Sequence, residues 1–76
     1  MSRLSDMSIG QRGRVIQVTG NDHVSVRLLE MGLTPGVEVA LIGRALLGDP
    51  LELEVRGYRL SMRKKEAARV EVAQAD

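Results

Sequence analysis

An alternating pattern between Leu51 and Met62 constrains the fold of this chain more than any other feature. Apolar residues take every second position on both sides of Arg56-Gly57. Strict alternation is typical of strands with one buried face. The phase shifts by one residue at Arg56-Gly57, as it does where a two-residue turn joins two antiparallel strands. The pattern therefore predicts a β-hairpin with one apolar face, made by the pairs Val55–Tyr58, Leu53–Leu60 and Leu51–Met62.

A helix is predicted upstream of this hairpin. Val24, Leu28 and Met31 recur at the spacing of one helical face. Asn21 or Asp22 precedes them, and either side chain can accept a hydrogen bond from the first turn of a helix. We therefore expect a helix that begins just after these residues and buries that apolar face.

The residues after this helix predict where it ends and how the chain turns. Gly32 stands just past the apolar pattern, where a left-handed conformation is often required and glycine adopts it without penalty. Leu33 can fold back onto Leu28, which is the apolar contact that accompanies such a helix end. Pro35 and Gly36 suit the second and third positions of a type II turn.

The remaining pattern is mostly that of short strands. β-branched residues predict a strand over 13–19, alternation predicts another over 37–42, and two valines predict a brief last strand over 70–72. Residues 63–68 have the composition of a short helical turn. We expect one domain over 1–76 that is mainly β: a small SH3-like barrel of about five short strands, with one inserted α-helix and a helical turn near the C-terminus.

Composition narrows the possible functions. The 76 residues include no cysteine, 11 basic and 10 acidic side chains, and Tyr58 as the single aromatic residue. Nucleic-acid binders usually carry a larger basic excess and stacking platforms, so this composition argues against them. No segment resembles a signal peptide or reaches membrane-spanning length. We therefore expect a cytoplasmic protein with no direct membrane insertion.

The chain offers little from which to build a catalytic site. His23 is the only histidine, so a His-based triad or a paired-His metal site cannot form. Glu52 and Glu54 face basic neighbours across the predicted hairpin, which favours a solvated strand face over acid–base chemistry. We therefore expect that the protein is not an enzyme and that it has no catalytic residue, no cofactor and no metal site.

Leu46 and Leu47 are two consecutive apolar residues in a predicted loop, where polar residues are more usual. Two consecutive leucines cannot both point inward from an extended loop, so at least one is expected to be exposed. The alternative is that Leu47 closes the end of the barrel while Leu46 is merely tolerated. Leu29 lies off the buried stripe of the helix and is a second candidate contact. We predict that Leu29, Leu46 and Leu47 bind a partner, and self-association through the loop is an alternative.

Four motifs in order resemble the ferrous iron transport protein A (FeoA) family. They are RLLEMGLTPG at 27–36, LGDP at 47–50, LSMRKKEA at 60–67 and VEV at 70–72. The resemblance spans almost the whole chain. One departure is Leu46, where the family often has proline. Together with the turn at Gly57, the residues expected to shape the fold are Leu28, Met31, Gly32, Leu33, Pro35, Gly36, Gly48, Asp49 and Pro50.

The resemblance implies an SH3-like barrel that serves a membrane ferrous iron transporter. That transporter, FeoB, carries a cytosolic GTPase domain, and the implied role is non-enzymatic contact with the GTPase domain or with a region near the membrane. One alternative is nucleic-acid binding through the basic run Arg63-Lys64-Lys65. Another is direct binding of ferrous iron by Asp22, His23 and Asp49, although Asp49 is expected instead to organise its own turn.

Overall fold

The computed structural model describes residues 2–75, which form six strands, two α-helices and two short 3-10 turns. Neither helix is long and apolar enough to cross a membrane. The strands are β1 (Ser2–Arg3), β2 (Arg12–Val18), β3 (Glu38–Arg44), β4 (Leu51–Val55), β5 (Tyr58–Met62) and β6 (Val70–Ala75). The helices are α1 (His23–Glu30) and α2 (Lys64–Ala67), and the 3-10 turns are Leu4–Asp6 and Leu46–Gly48.

The six strands form one antiparallel sheet in the order β1-β6-β2-β3-β4-β5. Strands β2 to β6 all contribute side chains to a single apolar core, which Leu28 of α1 and Leu4 of the first 3-10 turn complete. The buried apolar residues are Leu4, Met7, Val15, Leu28, Leu33, Val39, Leu41, Leu51, Leu53, Val55, Met62, Ala67, Val70 and Val72. The structure has six strands where the sequence predicts about five. The additional strand is β1, in which Ser2 and Arg3 pair with Val72 and Glu71.

The predicted hairpin is confirmed in its register. Leu51 pairs with Met62, Leu53 with Leu60 and Val55 with Tyr58. Arg56 and Gly57 have φ values of 53° and 85°, and two left-handed central residues define the type I′ turn that matches the twist of the strands. The apolar face is less uniform than predicted, because Tyr58 remains 45% exposed at the turn.

Helix α1 begins and ends with the capping bonds that its sequence predicts. The Asp22 carboxylate accepts a hydrogen bond from the Ser25 N–H at 3.2 Å. At the other end, Gly32 has a φ of 107° and its N–H donates to the Leu29 carbonyl at 3.0 Å. The Leu33 N–H donates to the Leu28 carbonyl at 3.2 Å. This pair of bonds satisfies carbonyls that the helix leaves free and carries Leu33 into the core.

The turn after α1 connects the helix to the sheet. The Val37 N–H donates to the Thr34 carbonyl at 3.1 Å, and Gly36 has a φ of 92°. The Gly36 N–H also donates to the Val15 carbonyl of β2 at 2.8 Å. Because its backbone bonds reach into β2, this turn sets the position of both α1 and β3.

Candidate partner-binding surface

Leu46 and Leu47 are the most exposed large apolar side chains of the described chain, and we call this pair the leucine tip. Leu46 is 90% exposed and Leu47 is 98% exposed. The alternative in which Leu47 closes the end of the barrel is therefore wrong. Two neighbouring leucines in full contact with water are unfavourable for an isolated protein, and exposed apolar groups that cluster often mark interaction sites.

The backbone holds the leucine tip in a defined conformation. The Ala45 N–H donates to the Pro50 carbonyl at 2.9 Å, and the Gly48 N–H donates to the Ala45 carbonyl at 2.8 Å. Leu47 has φ 70° and ψ 10°, and Gly48 also has a positive φ. The left-handed conformation costs a residue with a Cβ about 1 kcal/mol. The most exposed apolar side chain of the loop thus stands on a strained backbone, a combination often found at functional sites.

Asp49 connects the leucine tip to α2. Its Oδ1 atom accepts a hydrogen bond from the Lys64 backbone N–H at 2.9 Å. The sequence predicts that the Asp49 carboxylate organises its own turn. The carboxylate instead accepts a hydrogen bond from the first residue of α2, so that prediction is wrong for this bond. The sequence does not predict this contact. Asp49 and Lys64 are 15 positions apart, and Asp49 does not belong to α2 or to the residues next to it.

The Asp49 bond joins the loop of the leucine tip to a short basic segment, which we call the basic cluster. We use this name for Arg63, Lys64 and Lys65, all of which are exposed. The one acidic residue of α2, Glu66, is already engaged: it pairs with the Arg27 guanidinium and accepts the Arg63 N–H at 3.2 Å. The side chains of Arg63 and Lys65 line a groove with Val24 and Arg69, and the bond to the loop is made by the backbone of Lys64 alone.

Leu29 lies off the buried apolar face of α1 and is exposed, as its position in the sequence predicts. It lies apart from the leucine tip. Its exposed fraction is 39%. Helix α1 ends against Tyr58, whose hydroxyl donates to the Met31 carbonyl at the turn end of the β4–β5 hairpin. The leucine tip precedes β4 at the opposite end of that hairpin. Leu29 and the leucine tip therefore form two separate candidate contacts, and their role in partner binding stays a prediction.

Asp22 and Arg69 form an ion pair that joins the start of α1 to the start of β6. The two guanidinium nitrogens donate to the two carboxylate oxygens at 2.6 and 2.9 Å. These bonds, together with the Ser25 N–H, hold the pKa of Asp22 well below its usual value. The same pair raises the pKa of Arg69.

The three residues considered for direct iron binding do not come together. Asp22 is held by Arg69, Asp49 is bonded to Lys64, and His23 is exposed at the start of α1. Over residues 2–75, no three histidine, aspartate or glutamate side chains are grouped so that they could share a metal ion. This geometry opposes the alternative of an iron site built from Asp22, His23 and Asp49, since a metal site needs several convergent ligands.

Comparison with known proteins identifies the family. A family model described as the FeoA domain matches residues 2–74. The chain belongs to the FeoA family. The FeoA family is not a known enzyme family. Its members include proteins described as iron-transport and iron-uptake regulatory proteins.

Relatives of this FeoA-family chain include a fusion protein and several solved structures. The chain is 33% identical, over 92% of its length, to an Fe(2+) transport protein A/Fe(2+) transporter FeoB fusion protein of Porphyromonas gingivalis, and it spans 8% of that protein. An FeoA-like protein from Clostridium acetobutylicum is 34% identical, with a TM-score of 0.90 over 96% of this chain and 85% of that one. FeoA of Stenotrophomonas maltophilia, solved with zinc and described as a prokaryotic SH3 domain protein, is 31% identical, with a TM-score of 0.85 over 96% of this chain and 91% of that one. The mainly β, SH3-like fold is therefore shown, and the fusion links the family to ferrous iron transport.

Proposed function

We propose that this FeoA-family chain, as one domain over residues 1–76, is a non-enzymatic cytoplasmic accessory of ferrous iron uptake. It acts by protein–protein contact with a membrane ferrous iron transporter of the FeoB kind. The exposed leucine tip is the observation that carries the proposal. The fusion relative supports the choice of partner, because joining two modules in one chain keeps them at a high effective concentration.

The leucine tip has the properties of a contact that is completed by a partner. Burying a leucine side chain fully contributes roughly 1.5–3 kcal/mol, and the leucine tip offers two such side chains. The turn already fixes their backbone, so little conformational entropy is lost when they dock. Leu29, at the other end of the hairpin, provides a second contact with the same transporter.

The direct test is binding of the purified chain to its cognate transporter in detergent, with and without guanine nucleotide. We expect the L46D/L47D variant to bind at least tenfold more weakly, since each change places a charge in an apolar contact. Ile9→Asp is a matched control, because Ile9 is also apolar and 60% exposed but lies outside the loop. Unchanged binding by a folded L46D/L47D variant would show that the leucine tip is not the contact.

Two further measurements complete this test. Leu29→Asp, made alone, is expected to weaken transporter binding while leaving the leucine tip intact. Restoration of iron uptake in cells lacking the native protein is expected to fail with L46D/L47D and to succeed with Ile9→Asp. If transporter binding falls and iron uptake is unaffected, the contact exists but does not serve uptake, and the proposed function is wrong.

A further inference from the structure

We propose that a cationic groove beside α1 binds an acidic segment of a partner protein. We call it the α1–α2 groove. It encloses about 270 Å³ and is lined by Val24, Arg63, Lys65, Glu66 and Arg69. The inference goes beyond the proposed function, because it assigns a second site that uses neither Leu29 nor the leucine tip. The segment is identified by its chemistry, which is carboxylate side chains on both sides of an aliphatic one.

Two ion pairs hold α1 against the chain between α2 and β6 and shape the groove. At the start of α1, Asp22 accepts two hydrogen bonds from the Arg69 guanidinium at 2.6 and 2.9 Å. Further along the helix, Arg27 pairs with Glu66 of α2. Val24 lies between these two points in the sequence of α1 and lines the groove. Because α1 is fixed on both sides of Val24, the groove has a defined shape.

The charge that remains available in the groove is positive. Arg63 and Lys65 are exposed, and their side chains take part in no ion pair within residues 2–74. Glu66, the one acidic residue of the lining, is already engaged by the Arg27 guanidinium and the Arg63 N–H. Two of the five guanidinium N–H donors of Arg69 go to its aspartate partner, so three remain. An entering carboxylate therefore meets two unpaired cations and one guanidinium that is held in place.

The apolar part of the lining favours a peptide segment as the occupant. Val24 is half-buried and offers aliphatic surface, which an inorganic anion or a free carboxylate could not cover. The volume is below the range of about 300–1,000 Å³ that is typical of small-molecule pockets, and it suits a few side chains of a longer chain. None of the five lining residues is aromatic, so the groove lacks the stacking surface on which single-stranded nucleic acids rely.

The test is fluorescence anisotropy with two labelled synthetic peptides, GSEELEESG and GSDDLDDSG, which differ in the reach of their carboxylates. At least one should bind the parent chain, and its binding should weaken at least about tenfold between low salt and about 0.5 M salt. Replacing the acidic residues of that peptide by their amides, or its leucine by serine, should weaken binding at least about threefold. Failure of both peptides to bind at low salt would overturn the proposal.

Adjacent lysines of α2 provide a matched pair of variants. Lys64 and Lys65 are both exposed and carry the same charge, but only Lys65 lines the groove. Lys65→Ala should weaken peptide binding about threefold, the effect of an exposed ion pair near the upper end of its range. Lys64→Ala should bind the peptide as the parent does. Equal losses in the two variants would assign binding to general positive charge and overturn the proposal.

Two valines of α1 provide a second matched pair for the apolar contact. Val24 lines the groove, whereas Val26 is 50% exposed and does not line it. Threonine has nearly the shape of valine but replaces one methyl group by a hydroxyl, so both variants should fold. Val24→Thr should weaken peptide binding at least about twofold, and Val26→Thr should not. Full binding by a folded Val24→Thr variant would mean that no aliphatic side chain enters the groove as proposed.

The outcomes distinguish this inference from the proposed function. L46D/L47D should bind the peptide as the parent does, because the leucine tip is not part of the groove. A chain that binds neither peptide but binds the detergent-solubilised transporter would overturn the acidic-segment site and leave the accessory function intact. A chain that binds a peptide through Val24 and Lys65, but not the transporter, would support the site and remove the proposed partner. Tighter binding of a single-stranded RNA through the same residues would assign the groove to nucleic acid and overturn the proposal.

Discussion

The Tyr58 hydroxyl sits directly against Gly32. It donates a hydrogen bond to the carbonyl of Met31, and a Cβ atom added to Gly32 would lie 2.7 Å from the hydroxyl oxygen. The residue that ends α1 and the residue that begins β5 thus share one tightly packed contact. Glycine is required there for two reasons, its left-handed backbone and the absence of a side chain that would meet the phenol.

Gly32→Ala is expected to lower the free energy of unfolding by about 2 kcal/mol or more, because a left-handed alanine is strained and its methyl group meets Tyr58. Gly10→Ala is the control: Gly10 has a φ of 94° with no atom within 4 Å of an added Cβ. That variant should show the backbone cost alone, about 1 kcal/mol. Urea unfolding measures both.

A double-mutant cycle isolates the contact between the two residues. Tyr58→Phe alone should cost about 1 kcal/mol through loss of the hydrogen bond to Met31. In that background Gly32→Ala should cost less than it does in the parent, since the oxygen that its methyl group meets is gone. Additive effects within 0.3 kcal/mol would mean that the phenol is not what excludes a side chain at Gly32.

The Asp22–Arg69 pair should make stability depend on pH in acid. The pKa of Asp22 is lowered in the folded protein, so its contribution is fully present above the unfolded pKa of about 4 and is lost as the pH falls toward the folded pKa. Asp22→Asn keeps a side-chain cap for α1 but removes the charge. Its destabilisation, measured by urea unfolding, should be larger at pH 7 than at pH 2.5.

Arg69→Gln provides the control for this pH dependence. In the Arg69→Gln background, Asp22→Asn should show a much smaller difference between the two pH values, because the larger cause of the lowered pKa has been removed. A pH difference that persists in full would assign the effect to the Ser25 N–H bond instead.

Asp49→Ala should destabilise the protein by about 1 kcal/mol, the usual cost of removing a side-chain cap from a helix start. It leaves the Lys64 N–H without its acceptor and releases the leucine tip from α2. Asp49→Asn, which retains an acceptor oxygen, should recover most of the loss. Thermal unfolding of the two variants measures this. Equal destabilisation by both would mean that charge rather than the hydrogen bond matters.

Leu47→Asn should leave the free energy of unfolding unchanged or raise it by at most about 1 kcal/mol. The reason is that asparagine adopts a left-handed backbone more readily than leucine does. Leu46→Asn, at a position without a positive φ, should have no such effect. Thermal unfolding of both variants is the measurement. A clear loss of stability in Leu47→Asn would indicate that Leu47 supports the fold, contrary to its near-complete exposure.

The features that local chemistry controls could be predicted from the sequence, whereas contacts between distant segments could not. The hairpin register follows from alternation and a two-residue turn, and the end of α1 follows from Gly32 and Leu33. The bond from Asp49 to Lys64 joins segments whose approach depends on the whole sheet, so no spacing indicates it. Strand β1 has two residues and no periodicity of its own, and it is a strand only because β6 lies beside it.

The exposure of the leucine tip illustrates the same limit. Two adjacent leucines in a loop predict that one is exposed, but the left-handed backbone that exposes both comes from the turn between Ala45 and Pro50. Partner binding by Leu29, Leu46 and Leu47 remains a prediction, because exposure shows what is available and not what binds there.

The pairing of β1 with β6 also determines how this unit can be joined to other chains. Ser2 lies opposite Val72, so the two ends of the described chain run side by side at one edge of the sheet. A linker attached before Ser2 and one attached after Ala75 would leave from neighbouring points. A circularly permuted form, closed by a few glycines across this gap and opened elsewhere, should keep every strand pair, and fusing a larger protein in front of the unit or behind it should be geometrically equivalent.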